Sequence, residues 1–326
     1  MSDFWKGKNV FITGCTGLIG SWITEDLTKK GATVTGLVRD NVPNNNFDIL
    51  KLKEKINIVH GDIERLDNLR RGLSEYDIDT VFHLAAQPIV TIALKDPVST
   101  FKANINGTWN VLEACRLLDV KRVVIASSDK AYGVHDILPY DEGCSLNGRF
   151  PYDASKACSD ILAQTYFKSY GLPVGITRCG NIYGGGDMNF NRIIPETMKN
   201  IILDNNPPIR SDGQFVREFF YIKDVVRAYL ALAENLNRSE VKGEAFNFGS
   251  GEPIKIIDLV NKMIEISGKT HLKPDIQNSA KAEIKEQYLS AKKAKEILNW
   301  EPKYNLSEGL KETYKWYKQY LNVSPN

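Results

Sequence analysis

A tyrosine and a lysine, Tyr152 and Lys156, stand four residues apart in a segment whose pattern predicts a helix over residues 152–170, closed by Gly171. Residues at i and i+4 share one helix face, so the phenol and the ammonium are predicted neighbours. A phenol with an ordinary pKa of about 10 acts as a base at neutral pH only if a positive charge stabilises its phenolate. Lys156 could supply that charge. Taken alone, however, this spacing is also common on solvated helix faces.

A second polar segment, Ser127-Ser-Asp-Lys-Ala-Tyr-Gly133, ends the fifth of six short β-branched runs. Parallel sheets hold their ligands at the carboxyl ends of the strands. A hydroxyl at this point could therefore bond the same substrate oxygen as Tyr152. The alternative interpretation is a capping turn built from Ser and Asp. The order of this segment and the Tyr/Lys pair, behind a glycine-rich first turn, favours a site.

That first turn reads Thr13-Gly-Cys-Thr-Gly-Leu-Ile-Gly20, with glycines spaced GxxGxxG before a predicted helix. Such glycines let a pyrophosphate approach the backbone, and the helix N-terminus offers free N–H groups to it. Asp40 follows Gly20 by 20 residues, where an acidic side chain can bind a ribose 2′-hydroxyl and repel a 2′-phosphate. NAD is therefore favoured over NADP, although Arg39 could accept a phosphate instead. An oxidised nicotinamide would add a second positive charge near the phenol.

The elements that must position these residues alternate between strands and helices in the first half of the chain. The six β-branched runs cover residues 10–13, 33–38, 56–59, 80–84, 122–126 and 174–177. Runs of this kind separated by helical segments predict an α/β fold, a doubly wound parallel sheet of the Rossmann type. A loop-rich stretch beyond Arg178 predicts a smaller C-terminal domain. The domains are predicted as 1–178, to which 215–242 returns, and 179–326.

Helix signals support this arrangement. The first helix carries one apolar stripe and stops at Gly31; the stripe consists of Ile19, Trp22, Ile23 and Leu27. A longer helix is predicted over residues 97–118. A last helix is predicted near the C-terminus, with Ser307 as its N-cap.

Composition excludes several classes of partner. The 326 residues carry 42 Lys and Arg against 40 Asp and Glu, a net charge of +2, which leaves no basic excess for nucleic acid or an anionic membrane. We find neither a signal-peptide segment nor an apolar run long enough to span a membrane, so a cytoplasmic location is expected. The 5 scattered cysteines and 4 histidines show no metal-ligand spacing, and no metal is predicted.

Together, TGxxGxxG, SSDKxYG and YxxxK resemble the extended short-chain dehydrogenase/reductase family that acts on nucleotide sugars, the NAD-dependent epimerases and dehydratases. The resemblance covers nearly the whole chain. Further matching segments are His83-Leu-Ala-Ala-Gln87, Asn104-Ile-Asn-Gly-Thr108, Arg178-Cys-Gly-Asn181, Arg217 before Tyr221-Ile-Lys-Asp224, and Phe246-Asn-Phe-Gly249. Within the family, Ser128-Asp-Lys130 and Gly184-Gly-Gly-Asp187 are most similar to CDP-glucose 4,6-dehydratases.

The resemblance implies an NDP-glucose 4,6-dehydratase, with CDP-glucose favoured, which makes a 4-keto-6-deoxy sugar through transient hydride transfer to bound NAD. Tyr152 would take the proton of the sugar 4-hydroxyl, Ser128 would orient that oxygen, and Asp129 would protonate the leaving C6 hydroxyl. Lys130 stands where dTDP-glucose dehydratases carry Glu. It is either the C5 base or a positive charge that positions Asp129.

The resemblance also assigns binding residues. The cofactor set comprises Gly14, Thr16, Gly17, Leu18, Ile19, Gly20, Arg39, Asp40, Asp62, Ile63, Leu84, Ala85, Ala86, Asn104, Tyr152 and Lys156. The substrate set, for a nucleotide-diphosphate hexose held largely by the smaller domain, comprises Gln87, Ser128, Asn181, Asn189, Arg192 and Arg217. A homodimer built on the helices around 97–118 and 152–170 is expected.

Two other functions stay open at this stage. A nucleotide-sugar 4-epimerase, similar to UDP-glucose 4-epimerase, would share the first hydride transfer without the elimination. A dinucleotide-binding sensor would need no reactive phenol, and fold alone does not exclude it.

Overall fold

The computed structural model describes residues 3–279 and 284–323. The strands are β1 (Asn9–Thr13), β2 (Thr33–Val38), β3 (Asn57–His60), β4 (Thr80–His83), β5 (Arg122–Ala126), β6 (Val174–Cys179), β7 (Asn181–Tyr183), β8 (Pro208–Ile209), β9 (Val216–Tyr221), β10 (Ala245–Phe248), β11 (Pro253–Lys255), β12 (Asp275–Ile276) and β13 (Glu286–Gln287). The helices are α1 (Leu18–Lys29), α2 (Asn46–Ile49), α3 (Leu66–Glu75), α4 (Val90–Lys95), α5 (Pro97–Phe101), α6 (Gly107–Leu117), α7 (Pro151–Tyr170), α8 (Ile193–Ile202), α9 (Ile222–Asn235), α10 (Ile256–Ser267), α11 (Lys292–Leu298) and α12 (Leu306–Val323).

The main sheet has seven parallel strands in the order β3-β2-β1-β4-β5-β6-β10. All six predicted runs lie in it, and the predicted doubly wound α/β fold is confirmed. The strand order reverses between β1 and β4. Such a reversal opens a crevice at the carboxyl ends of the strands, where ligands bind in folds of this kind.

Helices cover both faces of the sheet. On one face, α1 and α9 bury side chains such as Ile23, Leu27 and Val225. On the other face, α3, α6 and α7 bury Leu69 and the residues around it. Because neither face meets water, every residue of β4 and β6 is buried, and the strands read as apolar runs instead of alternating ones.

The seventh strand lies beyond the segment predicted to return to the main sheet. Helix α9 falls inside the predicted 215–242, but β10 (Ala245–Phe248) also joins the sheet by pairing with β6. Its middle residue, Asn247, is fully buried, and such a residue weakens the apolar pattern of a strand. The structure satisfies the amide through the Tyr132 hydroxyl at 2.7 Å and the Tyr140 carbonyl at 3.0 Å. The boundary at 178/179 stays a prediction.

A smaller C-terminal lobe, named here for β7–β9, β11–β13, α8, α10 and α12, stands beside the carboxyl edge of the main sheet. Strand β9 is central in it, antiparallel to β11 and parallel to both β13 and β7. Strands β8 and β12 form a separate pair. Helices α8, α10 and α12 pack against one another. Because β9 runs directly into α9, the lobe and the main sheet share one continuous segment of chain.

The predicted helix over 97–118 is right in extent and wrong in regularity. It consists of α5, a π-helical turn at Lys102–Asn106, and α6. Pro97 begins α5, and Asp96 caps it by accepting a hydrogen bond from the Ser99 N–H at 3.1 Å. A π turn inserts an extra residue and is frequent at functional sites. The apolar periodicity of the sequence does not indicate where such an extra residue is inserted.

The N-cap predicted for the last helix is wrong by two residues. Helix α12 begins at Leu306, so Ser307 lies inside its first turn. The cap is Asn305, whose side-chain oxygen accepts from the Glu308 N–H at 3.0 Å while the Glu308 carboxylate accepts from the Asn305 N–H at 3.0 Å. Both Asn and Ser are good caps, but only Asn305 has a glutamate three residues later to complete the reciprocal pair.

The C-terminus of helix α7 follows the sequence-based prediction closely. The helix runs from Pro151 to Tyr170, and Gly171 ends it at a φ of +71°. Within residues 3–279 and 284–323, we find no helix with the length and apolarity to cross a membrane.

A buried ion pair fastens α7 to the sheet. The Arg178 guanidinium of β6 donates to both carboxylate oxygens of Asp160 on α7, at 2.8 and 2.9 Å. It also donates to the Tyr132 hydroxyl at 2.9 Å. The Arg178 and Asp160 side chains are 4% and 0% exposed, so water compensates neither charge.

We expect Arg178→Ala to lower the free energy of unfolding by about 3–5 kcal/mol, because it leaves the Asp160 carboxylate buried without its cation. Urea denaturation followed by circular dichroism measures the loss. The matched control is Arg116→Ala, which breaks a bidentate pair with Glu113 where both side chains are partly exposed. That variant should lose far less stability. Equal losses in the two variants would contradict the role given to the buried pair.

Candidate active site

A cavity of about 1170 Å³ lies at the carboxyl edge of the main sheet and reaches the C-terminal lobe. Residues that follow β1, β2, β3, β4, β5 and β6 line it. Of the predicted site residues, those that line it are Gly14, Thr16, Gly17, Leu18, Ile19, Gly20, Arg39, Asp40, Asp62, Ile63, Leu84, Ala85, Ala86, Gln87, Ser128, Asp129, Lys130, Tyr152, Lys156, Asn181, Asn189 and Arg192. Asn104 and Arg217 are not part of this lining.

The glycine turn after β1 is shaped by contacts that leave no room for side chains. A Cβ on Gly14 would lie 2.7 Å from the Ala85 nitrogen, and one on Gly20 would lie 2.1 Å from the Gly14 oxygen. Gly14 also has a φ of +75°, which favours glycine. Gly17 is the N-cap of α1 and has no side chain to occupy the free N–H groups of the first turn. The turn therefore fits a dinucleotide pyrophosphate.

At the end of β2, Arg39 and Asp40 contact each other. The Arg39 Nε donates to the Asp40 carboxylate at 2.6 Å, and both side chains are about 60% exposed. The pair faces the same cavity as the glycine turn. A carboxylate there suits a ribose hydroxyl, and a guanidinium suits a phosphate. Both side chains weighed in the sequence analysis, Asp40 and Arg39, are therefore present at this end of the cavity.

A buried chain of hydroxyls and one imidazole joins three of the sequence motifs and fixes the segment after β4. The Thr13 hydroxyl contacts His83 Nδ1 at 2.7 Å, and His83 Nε2 contacts the Thr108 hydroxyl at 3.1 Å. The same Thr13 oxygen accepts from the N–H groups of Leu84 and Ala85. Burial, and secondarily the Lys156 charge, lowers the pKa of His83 to about 3, so this imidazole is neutral. Its part is to hold the backbone that faces the cavity.

Asn104, predicted to bind cofactor, is instead 1% exposed and lies in the π-helical turn. Its oxygen accepts from the Gln87 N–H at 2.7 Å, and its amide donates to the Gln87 carbonyl at 3.1 Å and the Ser155 hydroxyl at 2.9 Å. It thus holds Gln87, which lines the cavity, against α7. In this structure, Asn104 positions the cavity wall and does not form its surface.

Tyr152 and Lys156 lie in the first two turns of α7, both at the cavity. Burial raises the pKa of Tyr152 to about 12, against an opposing hydrogen bond from Ser128. Burial lowers the pKa of Lys156 to about 8, and its Nζ donates to the Ala126 carbonyl at 2.7 Å. At neutral pH the chain alone therefore keeps the phenol protonated and the ammonium mostly charged. Ionising Tyr152 needs further positive charge in the cavity.

Ser128, Asp129 and Lys130 come from a short 3₁₀ helix after β5, Asp129–Tyr132, which Ser128 caps by accepting from the Lys130 N–H at 3.2 Å. The Ser128 hydroxyl also donates to the Asp129 carboxylate at 3.0 Å. Asp129 is 3% exposed, and its other oxygen is 3.9 Å from the Lys130 Nζ. The sequence left a capping turn and a ligand site as alternatives for this segment. In the structure it is a capping turn that also forms part of the cavity wall. It brings one carboxylate and one amine beside Tyr152.

A further carboxyl group, Asp153, lies close to this cluster and was missed from the sequence. It is 7% exposed, and burial raises its pKa to about 6, an effect that Asp129 reinforces and Lys130 opposes. The signal was present in Tyr152-Asp153, but nothing in the spacing shows that this aspartate is buried. Tyr132, at the end of the 3₁₀ helix, is fully buried and donates to Asn247.

The predicted substrate residues are held by different partners. The Asn181 amide donates to the Glu218 carbonyl at 3.0 Å, and Arg192 pairs with the buried Asp187 at 3.0 Å. Asn189 accepts from the Asn191 N–H at 3.2 Å. These three predicted residues line the C-terminal side of the cavity.

Arg217, predicted to contact a pyrophosphate, is buried in β9. Its guanidinium donates to the carbonyls of Ile284 at 2.5 Å and Lys285 at 3.1 Å. These contacts fasten the chain that leads into β13. Within residues 3–279 and 284–323, no cluster of His, Cys, Asp or Glu could hold a metal ion, and all five cysteines are free thiols.

A doubly wound sheet with a glycine turn at its switch point, and a tyrosine and lysine one helical turn apart in the same cavity, defines an NAD-dependent enzyme of the short-chain dehydrogenase/reductase class. The sequence matches the family described as GDP-mannose 4,6 dehydratase over residues 11–313, and the chain belongs to that family, among the NAD-dependent nucleotide-sugar dehydratases and epimerases.

Its relatives carry out both kinds of reaction. The CDP-glucose 4,6-dehydratase of Salmonella typhimurium is 31% identical over 98% of this chain and 93% of that protein. The UDP-glucuronate 4-epimerase of Thermodesulfobacterium geofontis is 32% identical over 96% of this chain and 97% of that protein. The crystal structure of dTDP-glucose 4,6-dehydratase from Bacillus anthracis in complex with NAD superposes with a TM-score of 0.85, at 25% identity, covering 96% of this chain and 97% of that one. NAD is the cofactor.

The buried Lys156 gives a pH-dependent stability that can be measured without substrate. The ammonium costs stability below about pH 8, and the cost disappears as pH approaches the ordinary lysine value of 10.5. Across this window the unfolded chain binds more protons than the folded one, so stability rises with pH. We expect the wild type to gain roughly 2.5 kcal/mol relative to Lys156→Met between pH 7 and pH 10.

Urea unfolding at several pH values measures this difference. The control is Lys29→Met, which removes a lysine whose side chain is 67% exposed and should give a difference independent of pH. Parallel stability curves for the wild type and Lys156→Met would show that Lys156 is not desolvated as described.

Proposed function

We propose that this enzyme is an NDP-glucose 4,6-dehydratase with CDP-glucose as its first substrate to test. The observation that carries the proposal is the buried Asp129 beside Lys130, within the same cavity as Ser128 and Tyr152. Eliminating water across C5 and C6 of a 4-keto sugar needs an acid for the leaving hydroxyl and a base for the C5 hydrogen. The likeness to the Salmonella CDP-glucose 4,6-dehydratase supports the choice of the cytidine nucleotide.

The first step belongs to Tyr152 and Ser128. Tyr152 takes the proton of the sugar 4-hydroxyl, and the Ser128 hydroxyl orients that oxygen. When bound, NAD would supply the hydride chemistry, as the acceptor for the C4 hydride and the donor to C6. The nicotinamide site also brings the positive charge that Tyr152, with a pKa of about 12 in the chain alone, requires. Lys156 supports the same ionisation from the next turn of α7.

The elimination belongs to Asp129 and Lys130. One proton shared by this pair can be on the Asp129 carboxyl group or on the Lys130 amine. With the proton on Asp129, the carboxylic acid can protonate the C6 hydroxyl, which leaves as water, while the neutral Lys130 amine takes the C5 proton. When the hydride is returned to C6, the Lys130 ammonium would give its proton back to C5, and Asp129 would regain a proton in place of the one that Tyr152 took from the 4-hydroxyl, which restores the pair. Lys130 is thus proposed as the C5 base, and its charge state and that of Asp129 are linked.

Binding roles are proposed on the same cavity. The glycine turn and the first turn of α1 would hold the NAD pyrophosphate, and Asp40 the adenosine ribose. Arg192 and Asn181 would contact the diphosphate or sugar hydroxyls from the opposite side. Arg217 would contribute at the edge of this site, next to the carbonyls that it holds.

A nucleotide-sugar 4-epimerase is the second candidate, favoured by the likeness to the UDP-glucuronate 4-epimerase. It would use Tyr152, Lys156 and Ser128 in the same way. It has no use for a buried acid and base at Asp129 and Lys130, because no C–O bond breaks.

The two functions separate in a panel of CDP-, dTDP-, UDP- and GDP-glucose analysed by mass spectrometry. A dehydratase gives a product lighter by one water, and an epimerase gives a product of unchanged mass. We expect dehydration, fastest with CDP-glucose. Asp129→Asn should slow it by roughly 100-fold or more, because it removes the proton that the leaving hydroxyl needs.

In that variant the reduced cofactor should still form, because Tyr152 and Ser128 are intact. The matched control is Asp258→Asn, the same change at an exposed aspartate in the first turn of α10, outside the cavity lining. It should leave turnover unchanged. Full dehydration by Asp129→Asn would remove the acid role. Absence of any product lighter by one water in the wild type would overturn the dehydratase.

The homodimer expected from the sequence is also proposed here. Apolar side chains on the outer faces of α5, α6 and α7 are exposed, among them Val98 at 61%, Trp109 at 44% and Ile161 at 54%. A patch of this kind on a single chain suits a second copy of the same surface.

Light scattering during size-exclusion chromatography should therefore give twice the chain mass of 36.7 kDa. Trp109→Lys combined with Ile161→Lys should shift the protein to the monomer, because each new charge would be buried in the interface. Leu203→Lys, at the end of α8 and 53% exposed, is the control and should stay dimeric. A wild-type monomer at micromolar concentration would exclude this interface.

A further inference from the structure

Gln287 is a buried amide behind the Asp129–Lys130 pair. It lies in β13 of the C-terminal lobe, is 1% exposed, and is not part of the cavity lining. Its oxygen accepts a hydrogen bond from the Lys130 Nζ, and its nitrogen donates to the Asp129 carbonyl at 3.2 Å. One side chain from the lobe therefore contacts both members of the pair, which belong to the main sheet.

These two contacts determine where the lysine amine lies. The Lys130 Nζ is 3.9 Å from the Asp129 carboxylate, longer than a direct charged hydrogen bond of about 2.8 Å. The lysine side chain is long and flexible, so without another acceptor its ammonium would approach the carboxylate. A direct pair would hold Asp129 ionised and Lys130 protonated. In that state neither could act as the acid or the base of the elimination.

The backbone that carries Gln287 is fixed on both sides. Residue 287 is in register with Arg217 of β9, which also donates to the carbonyls of Ile284 and Lys285. Two residues later, the Leu289 N–H donates to the buried Glu218 carboxylate at 3.1 Å. The amide is thus presented from a strand that is paired with β9 and held by hydrogen bonds on both sides, as suits a positioning group.

We propose that Gln287 is a positioning residue that holds the Lys130 amine apart from Asp129, so that the pair can carry one acid and one base. The proposal rests on the dehydratase function proposed above. Two further carboxyl groups interact with the pair: Asp153 of α7 faces both Lys130 and Asp129, and the buried Glu218 of β9 faces Asp129. The wild type and the variants retain both.

The test compares Gln287→Leu and Gln287→Glu with the wild-type holoenzyme. In Gln287→Leu the amine loses its acceptor and should close on Asp129. Gln287→Glu keeps the shape of the side chain. Its new carboxylate beside Lys130 should stabilise the ammonium form of the lysine, and it has no N–H to donate to the Asp129 carbonyl. We expect kcat for dehydration to fall roughly tenfold to hundredfold in both. KM should stay within about twofold, because Gln287 does not line the cavity.

Two further readouts separate positioning from a general structural effect. Reduced cofactor should accumulate at steady state, since oxidation at C4 is intact and elimination is slow. Labelling of Lys130 by acetic anhydride at a fixed pH, followed by peptide mass spectrometry, should be slower in both variants than in the wild type, because a nearby anion favours the unreactive ammonium. This labelling needs no substrate.

The control is Gln214→Leu, which removes another glutamine that accepts from a lysine, Lys255, at 3.2 Å on the exposed surface. It should change none of these four readouts. Unchanged kcat and an unchanged labelling profile in folded Gln287 variants would overturn the positioning role. If Gln287→Leu does not fold, Gln287→Glu carries the test. A wild type that releases no water while the labelling profile still shifts would overturn the proposed function and leave the positioning of Lys130 supported.

Discussion

The geometry of the cavity depends on one buried ion pair between Arg178 and Asp160. Placing both charges out of water is costly, and the cost is offset only because the guanidinium meets the carboxylate with two hydrogen bonds. A third donation to Tyr132 ties the 3₁₀ helix after β5 to the same group. Helix α7 carries Tyr152 and Lys156, and the 3₁₀ helix carries Asp129 and its neighbours. The relative placement of phenol, amine and carboxylate is therefore set by contacts that lie outside the cavity.

Around this fixed geometry, burial controls which groups carry charge. It lowers the pKa of His83 to about 3 and that of Lys156 to about 8, and it raises the pKa of Tyr152 to about 12. The chain alone thus holds a neutral imidazole, a neutral phenol and a cation with a weakened hold on its proton. A site prepared in this way changes protonation only when another charge enters it. Chemistry at Tyr152 is thereby linked to the presence of the cofactor.

Features encoded within a few neighbouring residues could be predicted from the sequence. The GxxGxxG turn, the six strand runs and the close of α7 at Gly171 depend on local backbone requirements, and each is in its predicted place. Features that depend on distant partners could not. Asn247 interrupts the apolar pattern of β10, so the sequence does not predict this strand. Its amide is accommodated there by a hydrogen bond from the buried Tyr132 hydroxyl. The contacts of Arg217 and Asn104 likewise come from segments far away in the sequence, so the resemblance that assigned them ligand contacts could not indicate these structural partners.

The passage of one continuous segment from β9 into α9 has a consequence for how such enzymes can be recombined. The chain leaves the main sheet after β6, builds part of the C-terminal lobe, returns through α9 and β10, and then leaves again to supply β13. Between Lys130 and its amide partner Gln287, the chain therefore passes several times between the main sheet and the lobe. A chimera that exchanges the lobe between relatives replaces Gln287, the partner of the Lys130 amine, even though the cavity lining around Lys130 from the main sheet is retained. Grafting nucleotide specificity onto this scaffold would thus require residue 287 to be treated as part of the catalytic sheet and not of the grafted lobe.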